Sequence, residues 1–457
     1  MRNLDRIGAL VLLGLLGAFA GALAAACDGD ADGDADGDAD GDGDADGDAD
    51  ADSDADPLCP ALPAPAGATT TVTPEDVGQL TGVVAAAETG DTILFEDGAY
   101  ALGGVHLWVD TPGVTLRSAS GDREAVILDG EYETTEVITV AASDVTIADL
   151  TIRRAHTHPI HVVSTGSADT IGTRVYNVHI VDPREQAIKI NPNADGFYPD
   201  DGEIACSRIE LTDEGRPHVN PTAGGCYTGG VDAHRARGWV IRDNEIEGFW
   251  CESGLAEHAI HLWRGCRDTI VERNVLEDNA RGVGFGLSSS GEAREYDDDP
   301  CPAADGAYVG HYGGVIRNNF VHADRPELFA SEYGYDCGLC LWSACGARAV
   351  HNTLASTGDN FSSIEWRFAG SVEIQVTNNA ATHPLRERDG ASAELAGNAE
   401  ELELDELVDG AGGDLHLAAG SALIDQGAAV PAGVCDDDID GDARDDAPDV
   451  GADERTE

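Results

Sequence analysis

Three observations predict an all-β fold, a solenoid of stacked parallel strands. A first series of short strands recurs as ITVAA (138–142), IHVV (160–163), IKIN (188–191), VDAH (231–234), IHLW (260–263), VGFG (283–286), LCLW (339–342) and IEWR (364–367). A second series alternates with it, one strand of each kind per turn: VYNVHI (175–180), VIRDNEI (240–246), IVERNVL (270–276), VIRNNFV (315–321) and AVHNTL (349–354). In that second series Asn177, Asn244, Asn274, Asn319, Asn352 and Asn379 hold similar places, as expected of a ladder that hydrogen-bonds coil to coil at a corner.

The chain opens with MRNLDR and an apolar run from Ile7 to Ala26, the layout of a secretory signal over 1–26. The run ends LAAAC, which places Cys27 where an exported lipoprotein is acylated; Leu23 stands four residues before it rather than the commoner three, so plain signal cleavage stays open. From Asp28 to Asp56 every second residue is Asp, and fifteen like charges separated by Gly and Ala extend a chain rather than fold it. Residues 27–56 therefore read as a solvated stalk. DADGD resembles the start of an EF-hand loop, but no glutamate closes such a loop, and calcium is a possible ligand without an assigned site. A Pro- and Ala-rich linker covers 57–70. Thr73 then caps a helix that has Pro74 at its first position and runs to Ala87, placed to cover the open end of the solenoid.

The coils follow over 71–430, beginning with GDTILFEDGAY (90–100), GVTLRSA (113–119) and AVILDG (125–130). Surplus residues leave as long loops at 191–204, 212–230, 247–258, 288–312 and 322–337, which can wall a face into a cleft. Residues 431–457 form an acidic cap or tail. Setting Cys27 aside for lipid leaves ten cysteines, and export allows them to pair. Short-range partners suggest Cys206 with Cys226, Cys251 with Cys266, and Cys59 with Cys435 joining the ends; Cys301, Cys337, Cys340 and Cys345 complete the set in an unassigned order. The CxxC at 337–340 reads as a staple rather than a zinc or redox motif.

Charge excludes one class of partner. The formal net charge is −59, and −44 remains when the fifteen stalk Asp are removed, so nucleic acid is not expected. Lys189 is the only lysine in the chain: either chance, or a position that needs an amine able to lose its proton.

These features together resemble the right-handed parallel β-helix superfamily of pectate lyases, polygalacturonases and alginate lyase or chondroitinase B-like enzymes. GDTILFEDGAY followed by GVTLRSASGDREAVILDG resembles the opening of the last group in particular, and the stretch from YTGGVDAHRARGWVIRDNEIEGF through AEHAIHLWRGCRDTIVERN to RGVGFGL also resembles exported β-helix repeat lipoproteins to which no activity is assigned. The resemblance covers roughly residues 75–425. It implies a single-stranded right-handed parallel β-helix that meets extracellular polysaccharide. The polygalacturonase succession of NTD, DD, GHG and RIK motifs is not evident. Geometry agrees: Asp232 and Glu365 lie four rungs apart, ~19 Å at ~4.8 Å per rung, whereas glycosidase carboxylates stand ~5–9.5 Å apart. The alginate lyase-like enzymes use a Lys and an Arg, often with calcium, to eliminate across a uronic acid; Lys189 is the one available Lys and Arg184 its possible counterpart.

Alternation along the first series aims Thr139, His161, Lys189, Asp232, His261, Gly284, Cys340 and Glu365 outward in one column. Val140, Val163, Asn191, His234, Trp263, Gly286, Trp342 and Arg367 run beside it. For β-elimination, Lys189 or His234 could be the base, Asp232 could orient either, and His261 could donate to the leaving oxygen. Arg184, Arg264 or calcium could meet the carboxylate, while Asn191, Trp263, Trp342 and Arg367 could line subsites. The plainer reading makes Lys189 and Asp232 a cross-rung ion pair under the loops, and Glu365 with Arg367 a surface pair. Asp232, His234 and His261, with Glu257 and His258 near in sequence, also suit zinc or another transition metal, of unknown identity. His156 and His158, at a turn, could extend any of these sites. The expectation is thus a monomeric, lipid-anchored, carbohydrate-active surface protein. A polysaccharide lyase is placed first, and a non-catalytic adhesin or scaffold is the alternative.

Overall fold

Three parallel sheets run from Thr69 to Ala396 and close on one another as a right-handed β-helix. A computed structural model describes residues 57–455 apart from Ala223. The signal, the acylated Cys27 and the Asp-rich stalk lie outside the described residues. The first sheet has 12 strands, from Thr69–Val72 to Ala393–Ala396. The second has 10, from Gly98–Ala101 to Ala380–Ala381, and the third 10, from Leu107–Val109 to Leu385–Arg388. The strands of these three sheets begin at Thr69 and end at Ala396.

Each coil carries three strands, not two. The apparent single strand VIRDNEI is Val240–Arg242 of the first sheet and Glu245–Glu247 of the second, joined at a corner. There Asp243 takes the left-handed conformation, as do Asp149, Asn177, Cys206, Arg273, Asn318, His351 and Asn378 on other coils, with φ between 48° and 58°. Non-glycine residues rarely adopt it. What offsets the strain is the next position. Buried Asn244, Asn274, Asn319, Asn352 and Asn379 and half-buried Asn398 form a ladder in which each side-chain amide donates at 2.9 Å to the Oδ1 of the next. That same Oδ1 also accepts the preceding asparagine's backbone N–H. Asn177 is not a member: it occupies the left-handed corner itself and donates to Asp149 at 2.8 Å. Ser207 starts the ladder, its N–H donating to Asn244 Oδ1, and Asn398 ends it.

Inside the helix, like side chains stack. Ile138, Ile160, Ile188, Val231, Ile260, Val283, Leu339 and Ile364 of the third sheet are all 0% exposed, each contributing about 1.5–3 kcal/mol of apolar burial. The N-terminal end is closed as expected. Thr73 N–H and Oγ1 both meet Asp76 Oδ2 at 2.9 Å, Pro74–Gln79 forms a 3-10 turn, and the helix Leu80–Ala85 buries Leu80 and Val84.

The C-terminal segment is not a tail. An antiparallel ribbon, Leu407–Asp409 with Asp414–Leu417, and Ile439, Val450 and Ala452 cover Phe320, Ala355 and Ala380 of the second sheet. Arg444 bonds Glu454 at 3.0 Å and Asn318 at 2.9 Å, while Asp438 accepts N–H groups from Asp440, Asp442 and Glu454. The acidic residues tie this segment's own turns.

All three suggested disulfides are replaced. Cys59 bonds Cys206, Cys226 bonds Cys251, Cys301 bonds Cys345 and Cys337 bonds Cys340, leaving Cys266 and Cys435 free and buried. The reason is lateral: Cys226 and Cys251 sit on successive loops that leave the same corner, and the linker crosses over the corner residue Cys206, where Tyr176 Oη donates to Pro60 O at 2.6 Å. Removing Asn274 from the ladder strands two donors of Asn244 and two carbonyls. Asn274→Ala should therefore cost about 3 kcal/mol in urea unfolding, against under about 1 kcal/mol for Asn177→Gly, where glycine accepts the left-handed corner.

Candidate active site

Pairing in the third sheet sets the outward column rung by rung. Thr139 pairs with His161, His161 with Lys189, Lys189 with Asp232, Asp232 with His261, His261 with Gly284, Gly284 with Cys340 and Cys340 with Glu365. Val163 pairs with Asn191, His234 with Trp263 and Trp342 with Arg367 in the neighbouring column. Val140 does not belong there: it pairs with Val162 and is buried in the core.

The column faces away from the core, yet its centre is covered. Lys189 is 4% exposed, Asp232 3% and His261 0%. Loops cause this. Cys226 and Cys251 join the loops at 212–230 and 247–258, and the short helix Pro326–Ala330 packs Leu328 into the same cluster with Trp250, Ala256 and Tyr335. From the opposite edge, Arg294 of the 288–312 loop reaches Asp200 at 2.7 Å.

Lys189 donates to Asp232 Oδ2 and lies 3.3 Å from His234 Nε2, which is itself 3.2 Å from Asp232 Oδ2. Trp263 Nε1 donates to Asp232 Oδ1 at 3.0 Å. Burial favours an uncharged Lys189, but the Asp232 carboxylate outweighs it and holds the ammonium above its ordinary range. Burial likewise raises Asp232, and Lys189 and His234 bring it well below the usual carboxylate range. The lone lysine is therefore a charged partner, not a free base. His234 goes the other way: burial first, then the Lys189 charge, lower it despite Asp232, so the half-buried ring is neutral at pH 7. Tyr227, half-buried at the end of the 212–230 loop, is pushed up by burial against the opposing pull of Lys189, and keeps its proton.

At the N-terminal end of the column, His161 Nδ1 meets Glu136 Oε1 at 2.8 Å and Asn191 Nδ2 donates to His161 Nε2 at 3.4 Å. Burial raises the Glu136 carboxyl, but hydrogen bonding and charge from His161 outweigh it, and it falls to about 2. His158 is buried, its Nδ1 3.0 Å from the Gln186 carbonyl.

Several expected roles are redistributed. Arg184 donates to His218 O at 2.8 Å and packs its guanidinium on His156, so its contacts are with the rim rather than with Lys189. Trp263 offers no open platform: His261 lies parallel at 5.3 Å, His234 edge-on at 4.8 Å and the Arg264 guanidinium over the ring at 4.5 Å. Trp342 is buried, with His258 edge-on at 5.8 Å. Glu365 and Arg367 do not pair. Glu365 takes Arg388 at 3.0 and 2.9 Å, and Arg367 takes Asp389 at 2.5 Å, because the next coil supplies closer partners than the same strand. Sequence reading missed Glu136 and Tyr227. Each lies just ahead of a site strand, in TTEVITV and YTGGVDAH, a placement that periodicity does not register.

No protein-family model and no curated protein sequence matches the chain. Its structure is similar to that of the pectate lyase Pel9A, at 14% identity and a TM-score of 0.50, over 85% of this chain and 97% of that one. An alginate lyase from Paenibacillus sp. (12% identity, 65% and 96% covered, TM-score 0.38) and PfbA, a surface adhesin of Streptococcus pneumoniae (11%, 73% and 91%, 0.42), also match. At 14% identity the likeness to Pel9A shows the fold alone, a right-handed parallel β-helix.

Two measurements probe this electrostatic arrangement. Lys189→Ala leaves a buried carboxylate unpaired and should lose about 3–5 kcal/mol on unfolding, with Lys189→Ala/Asp232→Ala losing less than the sum of the single variants. The Glu136 carboxyl sits at about 2 folded against an ordinary 4.5. Its contribution is complete above pH 4.5 and is lost as pH falls toward about 2. Glu136→Gln should flatten acid unfolding within that window.

Proposed function

We propose that this chain is an exported, envelope-anchored polysaccharide lyase that cleaves a uronate-bearing polymer by β-elimination. The observation that carries the reading is the half-buried His234, its Nε2 3.3 Å from Lys189 Nζ and 3.2 Å from Asp232 Oδ2, with burial lowering its proton affinity while raising that of half-buried Tyr227. Such a split separates a base from an acid. Neutral His234 takes the C5 proton. The C4–O4 bond breaks as the C4–C5 double bond forms, and Tyr227 gives its proton to the leaving O4. Lys189 and Asp232 act through His234, holding its Nε2 edge, and are positioning residues. Arg264, with calcium as an alternative, meets the uronate carboxylate; Asn191 and His161 extend the polar face toward the next sugar. His261, at 0% exposure, takes no part in proton donation to a polymer. The occupied faces of Trp263 and the burial of Trp342 weigh against an adhesin that relies on stacking.

The test is the ultraviolet absorbance of the unsaturated uronate during incubation with alginate, pectate and chondroitin, with calcium or with chelator. His234→Ala should lower the rate about 100- to 10,000-fold on the polymer that is cleaved. The acid limb of kcat/KM should fall below pH 6.5, the ordinary histidine value, because His234 is depressed and must be neutral. Folded protein that releases no unsaturated product from any polymer overturns the proposal.

A further inference from the structure

On the coil that follows Asp232, three ligating side chains converge without satisfying one another. Glu257 and His258 end the 247–258 loop, and His261 stands in the strand Ile260–Trp263. One ligand atom from each lies within 4.8 Å of the others. Glu257 Oε2, both ring nitrogens of His258 and His261 Nδ1 are buried and have no hydrogen-bond partner. Buried polar groups are normally paired, and a cluster of one unpartnered ligand atom from each of the three residues calls for an occupant.

His261 shows what kind. Its Nε2 donates to the Gly286 carbonyl at 3.1 Å, which turns Nδ1 toward Glu257 Oε2 at 3.3 Å and Asp232 Oδ1 at 3.5 Å. A nitrogen lone pair aimed at two carboxylates is repelled unless a proton or a metal cation lies between them. A backbone carbonyl behind the imidazole is also how metal-bound histidines are commonly oriented. A proton on His261 would leave both nitrogens of His258 without a partner. Room for that ring comes from Gly284, where a Cβ would stand 2.6 Å from the His258 ring. Ligands at ~2.0–2.1 Å in a tetrahedron are separated by ~3.3 Å, the distance between His261 Nδ1 and Glu257 Oε2.

We propose that Glu257, His258 and His261 bind one divalent transition cation of the zinc class, pinning the 247–258 loop to the site strand beside Asp232. Two imidazole nitrogens and one carboxylate suit zinc or cobalt(II) and not calcium, which takes oxygen ligands. The proposal goes beyond the lyase reading and stands whether or not a polymer is cleaved.

The full chain, stripped with chelator, is titrated with cobalt(II) alone and read by the intense visible band of tetrahedral cobalt, with zinc competition. The octahedral carboxylate complexes expected of the Asp-rich segment lack that band. One ion per chain is expected, with the band lost in His258→Asn and His261→Asn and unchanged in His416→Asn, which alters a separate His–Asp group formed with Asp440 and Asp453. Glu257→Gln keeps volume at a partly exposed position, so it tests the site even where the histidine variants misfold; its cobalt affinity should drop about 10- to 100-fold. Absence of the band in the unaltered chain, unchanged affinity in Glu257→Gln, or loss of the band only in His416→Asn would overturn the assignment.

Discussion

Register between coils is the constraint on which the rest of this molecule depends. A slip of one residue in a strand would turn Lys189, Asp232 and His261 into the core and Ile188, Val231 and Ile260 out of it. Two devices prevent it. Branched apolar side chains stack inside the third sheet, and at the corner between the first and second sheets the ladder from Asn244 to Asn398 bonds each coil to the next through both side chain and backbone. The ladder also permits the left-handed corner beside it, so that strands of different sheets meet without glycine. Local strain and long-range order are coupled at adjacent residues, such as Asp243 and Asn244.

Electrostatics follow the same geometry. The chain has 27 Lys and Arg against 86 Asp and Glu, and many of its cations are bound to its own carboxylates. Asp129 takes Arg153 and Arg154, Glu203 takes Arg242, Asp243 takes Arg273 and Asp200 takes Arg294. The single lysine is likewise committed, to Asp232. A buried pair of this kind adds little net stability against an apolar replacement, but it imposes a field on its neighbours. Here those neighbours are His234, lowered, and Tyr227, raised. The chemistry proposed for the face belongs to groups at its margin, while the residues most conspicuous in the sequence lie beneath them.

The strands of the third sheet were legible because a period of two in four-residue blocks admits one way of stacking, and the rung-by-rung pairing from Thr139 to Glu365 follows from it. The corners were not. Left-handed backbone at Asp243 or Arg273 leaves no periodic mark, so two strands read as one. Asn177 looked like its successors because it stands one residue away from the ladder position. The cysteine pairs were misread for a different reason: closeness along the chain says little where a loop's nearest neighbour is the loop one coil away, as with Cys226 and Cys251. Likewise the acidic C-terminal residues have a composition that suggests solvation, and only contact with Phe320 and Ala380 shows them as a cover.

By itself, then, the sequence determined the solenoid, its register and the identity of the residues that share one face, because these depend on alternation and on the repeat, both of which are local. Tertiary structure alone decided which of those residues are accessible, which charges neutralise one another and where protons reside. Lys189 is buried among neighbours that come from two other segments, the stretch 227–234 that carries Tyr227, Asp232 and His234, and the loop bearing Glu257. Burial and Coulomb energy depend on distances between groups 30 or more residues apart in the chain, as for Lys189 and Asp232 with a separation of 43. Those distances exist only once the coils have stacked.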